Sequence, residues 1–304
     1  MMSLSLILGP DNDQHALHIK SACDARNHPV LLFDSADFPT QTAISWSPHL
    51  NEGSVHIDGD DIPFSGIRSV FWSCLHPAKL ACGMTPEQQS IARNDVCSTL
   101  RTFLQEPTIR WVNPWQSYQY HKVKPRQLAH AQRLGANIPV TLISNNIEKI
   151  LAFCEQVGNV IYKPVYGGAL TREVQPNQLN PQRLQLVLAM SPVTLQQFIP
   201  GTNVRTYVIG QHVFSAEIAA DTIDFRDDRN PVLRPISLSV RETELAIRIS
   251  RGFGMCWTAI DWRRDHDGTL FFLEANPSPM FMFFEQQTGF AITEALTDML
   301  VSKK

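Results

Sequence analysis

Thr269-Leu270-Phe271-Phe272-Leu273-Glu274-Ala275-Asn276-Pro277-Ser278-Pro279 is the stretch that decides the fold. It reads as a strand that changes from apolar to acidic and then stops at two prolines. Residues 257–263 form the opposite arm of a hairpin, turned at Asp267-Gly268. Side chains two apart on a strand share a face, so Glu274 and Asn276 project together. Asp261, on the other arm, lies within reach. Two carboxylates and an amide oxygen are hard donors that suit Mg²⁺ bridging nucleotide phosphates. A plain polar hairpin with a proline-rich loop is the structural alternative.

Two further stretches stand upstream. Ile161-Tyr162-Lys163-Pro164 runs into Tyr166-Gly167-Gly168. A lysine ending an apolar strand is costly to desolvate unless it meets an anion. Gly167 and Gly168 let backbone N–H groups approach phosphate oxygens, against the bland reading of a strand, a turn and a snorkelling lysine. Leu195-Gln196-Gln197-Phe198-Ile199-Pro200-Gly201, with Asn203-Val204-Arg205 after it, is an apolar strand entering a polar hinge. Its backbone offers donors and acceptors to an adenine edge, with Phe198 and Ile199 to sandwich the ring. Taken alone this stretch is a core strand and turn.

Outward from these stretches the chain divides into an N-terminal α/β domain (1–112), a central α+β subdomain (113–190) and a mostly antiparallel C-terminal subdomain (191–304). The first holds strands at Leu4–Leu8, Val30–Phe33 and Ile67–Trp72. A helix begins at Asp11 or Asp13 and runs to about residue 27. Another runs over 86–105, with Thr85 as N-cap and Pro86 at its first position. This β-α-β opening predicts a small parallel sheet. In the centre, 117–134 is helical, with Pro125 as a candidate break and Gly135 as its stop. Strands at 140–143, 160–163 and 193–198 and a helix at 145–157 follow. The last third holds the hairpin 204–209 with His212–Ala219, a helix at 240–253, the deciding hairpin, and a closing helix at Ile292–Val301. The fold class is α/β (α+β).

The 304 residues are 43% hydrophobic and 18% charged, with a formal net charge of -3. No basic stripe exists to neutralise phosphates, which argues against nucleic acid as a partner. No stretch reaches the roughly 18 apolar residues of a membrane span. The apolar opening at Met1-Met2-Ser3-Leu4 lacks a basic flank and stops at Gly9-Pro10-Asp11, so a buried first strand is expected rather than a signal peptide. Six cysteines without CxxC spacing read as reduced thiols of a cytoplasmic protein.

Together these stretches resemble the ATP-grasp superfamily over nearly the whole chain. The C-terminal third is similar to the ribosomal-protein glutamate ligase branch. The carriers are Leu195-Gln196-Gln197-Phe198-Ile199, Asn203-Val204-Arg205, Asp224-Phe225-Arg226, Glu274-Ala275-Asn276-Pro277-Ser278-Pro279 and Glu285-Gln286-Gln287-Thr288-Gly289. The N-terminal part is similar to the microviridin-type (graspetide) peptide ligases. Asp13-Gln14-His15, Asp37-Phe38-Pro39, Asn113-Pro114, Lys124 eleven residues before Gly135, and Pro139-Val140-Thr141-Leu142-Ile143-Ser144-Asn145-Asn146 carry that likeness, and Val213-Phe214-Ser215-Ala216-Glu217-Ile218 also fits that group. It departs at Ser73-Cys74-Leu75-His76, where those ligases have paired arginines, and at Gln197 and Asn203, where the superfamily has acids.

The resemblance implies an ATP-grasp fold, with an N-terminal pre-ATP-grasp domain and ATP bound between two α+β subdomains. It implies ATP and Mg²⁺ as cofactors. Lys124 and Lys163 would bind phosphates, with Gly167 and Gly168 over them. Gln196, Gln197, Phe198 and Ile199 would form the adenine hinge, with Asn203 near the ribose. Asp261, Glu274 and Asn276 would hold the metal. Arg226 would be the catalytic cation, with Arg205 as the other candidate. The activity implied is ATP-dependent ligation of a carboxylate to an amine or hydroxyl through an acyl-phosphate, on a peptide or peptide-like substrate. A small-molecule ligase and a non-catalytic nucleotide-binding protein are the alternatives. A homo-oligomer is an expectation by resemblance only.

Overall fold

The computed structural model describes residues 4–220, 227–228 and 231–302. The chain runs β1 (Leu4–Leu8), α1 (Gln14–Asp24), β2 (Val30–Phe33), β3 (Ala43–Ser47), β4 (Glu52–Ile57), β5 (Asp60–Pro63), β6 (Ile67–Trp72), α2 (Pro86–Leu104) and β7 (Arg110–Val112). It continues through α3 (Trp115–His121), α4 (Lys124–Arg133), β8 (Thr141–Ser144), α5 (Ile147–Val157), β9 (Val160–Pro164), β10 (Arg172–Glu173), α6 (Pro181–Met190) and β11 (Val193–Gln197). Then come β12 (Thr202–Ile209), β13 (His212–Ala219), β14 (Val232–Ile236), α7 (Val240–Gly252), β15 (Trp257–Arg264), β16 (Leu270–Asn276), α8 (Met282–Thr288) and α9 (Ile292–Val301). Two compact units result: Met1–Tyr118 with Gly254–Trp257 and Ser278–Lys304, and Gln119–Phe253 with Thr258–Pro277.

The first unit contains the parallel sheet that the β-α-β opening predicts, in the order β2-β1-β6-β7. Its strands are short apolar runs because helices cover parallel sheets. Leu6, Leu8, Phe33, Val70, Phe103 and Trp111 share one core. Asp13 caps α1, accepting from the N–H groups of His15 and Ala16. Thr85 and Gln88 close a reciprocal capping box on α2, with Pro86 just inside. The antiparallel sheet β3-β4-β5 was not among the elements read from sequence. Its strands mix exposed and buried residues without clean alternation. Its turn uses Asp58 and Gly59 at positive φ.

The second unit carries a sheet ordered β10-β9-β11-β8 and an antiparallel sheet ordered β14-β13-β12-β15-β16. Both predicted hairpins are present, β12 with β13 and β15 with β16. The helical stretch expected over 117–134, with Pro125 as its candidate break, is two helices. α3 ends at His121, and α4 starts at Lys124 with Pro125 in its first turn. Proline is tolerated there because those N–H groups have no helical partner anyway. Gly135 ends α4 at φ +98°, as expected. α6, capped by Asn180 and opened by Pro181, went unread, although its start signals are ordinary. At Gly201, φ is +139° and a Cβ would sit 2.0 Å from the Arg264 carbonyl oxygen, so only glycine fits.

Candidate active site

The second unit holds a cavity of about 240 Å³. Lys124, Lys163, Gly167, Asn203, Arg205, Asp261, Glu274 and Asn276, all singled out from sequence, line it. Thr171 and Thr194, which sequence reasoning missed, line it too. A lone threonine carries no signal of its own. Thr194 pairs directly with Lys163 across β11 and β9, which brings the two to the same place.

The antiparallel sheet positions the carboxylates. Asp261 on β15 lies opposite Glu274 on β16, with a register shift just after Asp261. Asn276 follows on the face of Glu274, as strand alternation requires. On β12, Asn203 and Arg205 likewise share a face. Arg205 makes a forked ion pair, its Nε donating to Asp261 Oδ1 at 2.8 Å and its Nη2 to Oδ2 at 3.0 Å. Lys124, at the start of α4, donates to Glu274 Oε2. Lys122, two residues before it, is exposed and absent from the lining, so of these two lysines Lys124 is the one that lines the cavity.

Burial alone would raise the carboxyl of Glu274. The Lys124 ammonium beside it, and then Lys163, hold it below its ordinary 4.5. Burial works against the charge of Arg205, but Asp261 outweighs it and raises its pKa. Glu274 is therefore ionised in the neutral range, and each of the two carboxylates lies against a cation. Gly167 has φ +109°, and a Cβ there would come within 3.2 Å of Lys124 Nζ. The glycine thus admits the lysine to the cavity.

The expected hinge is placed differently from the rest. Gly168, Gln196, Gln197, Phe198 and Ile199 are not in the cavity lining. Gln196 is fully buried and acts as a link. Its Oε1 accepts from Lys163 Nζ at 3.0 Å, and its Nε2 donates to Thr141 Oγ1 at 2.9 Å. The N–H groups of Gln197 and Phe198 donate to the carbonyls of Val140 and Asn159. The Arg263 guanidinium lies 5.6 Å from the Phe198 ring centre, and its Nε donates to the Ile199 carbonyl at 2.8 Å. Arg226 lies outside the described residues.

The donor set fits Mg²⁺ in kind: two carboxylates and an amide oxygen on one strand pair. Among the described residues no group of three His, Cys, Asp or Glu side chains could hold a metal. A cation here would draw its remaining ligands from water and phosphate, the way Mg²⁺ prefers. In the first unit, Cys74 donates to Asp13 at 3.6 Å and stands 3.7 Å from His76 Nε2. Burial, followed by Asp13, pushes its thiol up to about 12, opposite to what a nucleophile needs.

These sheets and this lysine–carboxylate cavity define the class: the fold is the ATP-grasp fold. Residues 120–300 match the model of the RimK-like ATP-grasp domain, and the chain belongs to that family. The solved structure of the ATP-grasp ligase PsnB, complexed with a phosphomimetic variant of its minimal precursor, Mg and ADP, is similar at 27% identity and TM-score 0.85, over 99% of this chain and 98% of that one. The macrocyclase MdnC from Microcystis aeruginosa MRC, bound with precursor peptide MdnA, is similar in fold at 22% identity and TM-score 0.87, over 99% and 100% of the two chains. The uncharacterized protein MG012 homolog of Mycoplasma pneumoniae is 32% identical over 139 residues, 42% of this chain and 48% of that protein. The chain thus spans about half the length of that curated relative. Among the described residues no helix is long and apolar enough to cross a membrane.

Proposed function

We propose that the protein is an ATP-dependent ligase that joins a carboxylate to an amine or hydroxyl of a peptide or peptide-like substrate. The observation that carries this reading is the convergence of Lys124, Lys163, Arg205, Asp261, Glu274 and Asn276 on one cavity. The likeness at 27% identity to a ligase solved with its precursor, Mg and ADP supports a peptide as the substrate.

A carboxylate is a poor electrophile at neutral pH. Transfer of the ATP γ-phosphoryl group gives an acyl-phosphate with a good leaving group, and that transfer is catalysed chiefly by charge stabilisation and positioning. Asp261, Glu274 and Asn276 would hold Mg²⁺, which neutralises phosphate charge when bound. Lys124 and Lys163 would orient the phosphates, the latter kept in place by Gln196. Arg226 is the proposed cation on the transferring group. Arg205 is the second candidate, and its fork also holds the Asp261 carboxylate in one orientation.

The test incubates the protein with ATP, Mg²⁺ and candidate precursor peptides. ADP and phosphate should form in step with a peptide that has lost one water per new bond. ATP binding without turnover on any peptide or small acid would favour a non-catalytic role. Turnover on small acids alone would favour a small-molecule ligase.

A further inference from the structure

Strand β16 lies at the edge of its sheet, with β15 on one side. An edge strand leaves backbone N–H and C=O groups to be satisfied by something other than a strand. At Ala275 one side chain meets both groups. Gln127 Nε2 donates to the Ala275 carbonyl at 3.0 Å, and the Ala275 N–H donates to Gln127 Oε1 at 3.1 Å. Gln127 is fully buried. Its primary amide carries a donor and an acceptor side by side, as a peptide unit does. It therefore replaces a neighbouring strand for a single residue. The same carbonyl lies 2.9 Å from His121 Nδ1, and because a carbonyl only accepts, that nitrogen carries the proton.

The position of this clamp matters. Ala275 sits between Glu274 and Asn276, both in the cavity lining. Fixing its two peptide planes fixes the direction in which both side chains leave the strand. Gln127 is also three residues after Lys124 on α4, hence on the same helix face, and Lys124 bonds Glu274 itself. One helix thus sets the backbone and the counter-charge of the same strand.

We propose that Gln127 is a positioning residue for the metal: its amide clamp on Ala275 aims Glu274 and Asn276 at the cation. This rests on the reading that those two residues hold Mg²⁺. Partners that orient metal ligands are worth about tenfold to a hundredfold in metal affinity.

The experiment measures, by calorimetry on the full-length protein, binding of a nonhydrolysable ATP analogue in EDTA and across a Mg²⁺ titration. Wild type, Gln127→Met, Gln127→Glu and Glu274→Gln are compared. Gln127→Met should weaken the Mg²⁺ dependence by about tenfold or more. Its metal-free nucleotide affinity should stay near wild type, which a merely structural defect would not predict. Gln127→Glu keeps the bond from the Ala275 N–H but turns an oxygen toward the carbonyl, so it too should weaken the Mg²⁺ dependence. It serves if the methionine variant does not fold. Wild-type Mg²⁺ dependence in a folded Gln127 variant, with Glu274→Gln defective, overturns this proposal alone. Wild-type Mg²⁺ dependence in Glu274→Gln overturns the metal reading and this proposal with it.

Discussion

The parallel sheet of the first unit and the antiparallel sheet of the second treat polarity in opposite ways. Along β1 and β6 the buried apolar positions are Leu6, Ile7, Leu8, Ile67, Val70, Phe71 and Trp72. The polar residues between them, Ser5 and Ser69, hydrogen-bond each other at 2.7 Å. Along β12, β15 and β16 the strands instead carry Arg205, Asp261 and Glu274 on a half-buried face. Buried ion pairs seldom stabilise a fold better than apolar packing would. The first unit spends its sheet on stability. The second keeps charges whose cost makes sense only if something charged binds among them.

Substitutions at a few positions can break or sharpen that contrast. The largest effect is expected in the first unit. Phe103 is fully buried and meets Phe33, Phe64 and Trp111 with ring centres 5.2 to 5.7 Å apart. Phe103→Ala should lower stability by about 3–5 kcal/mol in urea titration. The fraction that remains folded should bind nucleotide as the wild type does. A matching loss of nucleotide affinity in that fraction would erase the division of labour.

Next in size is Arg226→Ala. It should lose roughly a hundredfold or more in turnover, about 2.7 kcal/mol, while its melting temperature stays near wild type. Arg226→Lys should recover part, because an ammonium lacks the guanidinium fork. Near-normal turnover would pass the role to Arg205. Arg205→Ala is the less clean test, since it leaves Asp261 buried without its forked partner.

The smallest effect belongs to Asp13. Burial would raise its carboxyl, but hydrogen bonds from Ser73 and from the N–H groups of Ala16 and His15 hold it below its ordinary 3.8. The depressed value means that its stabilising contribution is complete above about pH 3.8 and is lost as pH falls through the folded-state value. Asp13→Asn, which resembles the protonated acid, should therefore lower stability in the neutral range, flatten the acid limb of the stability curve and leave the low-pH end little changed. Asp13→Ala should cost about 1 kcal/mol at neutral pH through the lost N-cap. An unaltered acid limb in Asp13→Asn would show that other carboxylates govern it.

Much of the molecule was legible because its signals are local. Thr85 and Pro86 mark the start of α2, and Gly135 the end of α4, within a few residues of the bonds they control. The face shared by Glu274 and Asn276 follows from strand alternation alone. The sheet β3-β4-β5 escaped because its strands show no clear period. The hinge was legible as a strand and turn, but not in its bonding. Nothing in Gln196-Gln197-Phe198 announces that Gln196 holds Lys163, or that the next two N–H groups are already used.

By itself, then, the sequence determined the order of the principal elements, the acidic hairpin and a list of cations able to face it, because propensity, capping and alternation act over neighbouring residues. Which cation meets which carboxylate was decided only in three dimensions. Lys124 reaches Glu274 across 150 positions, Gln127 reaches Ala275 across 148, and Arg205 reaches Asp261 across 56. Such pairings depend on how strands reverse and where a helix comes to rest on a sheet edge. No local rule specifies that, because the energy that selects it is the packing of the whole unit.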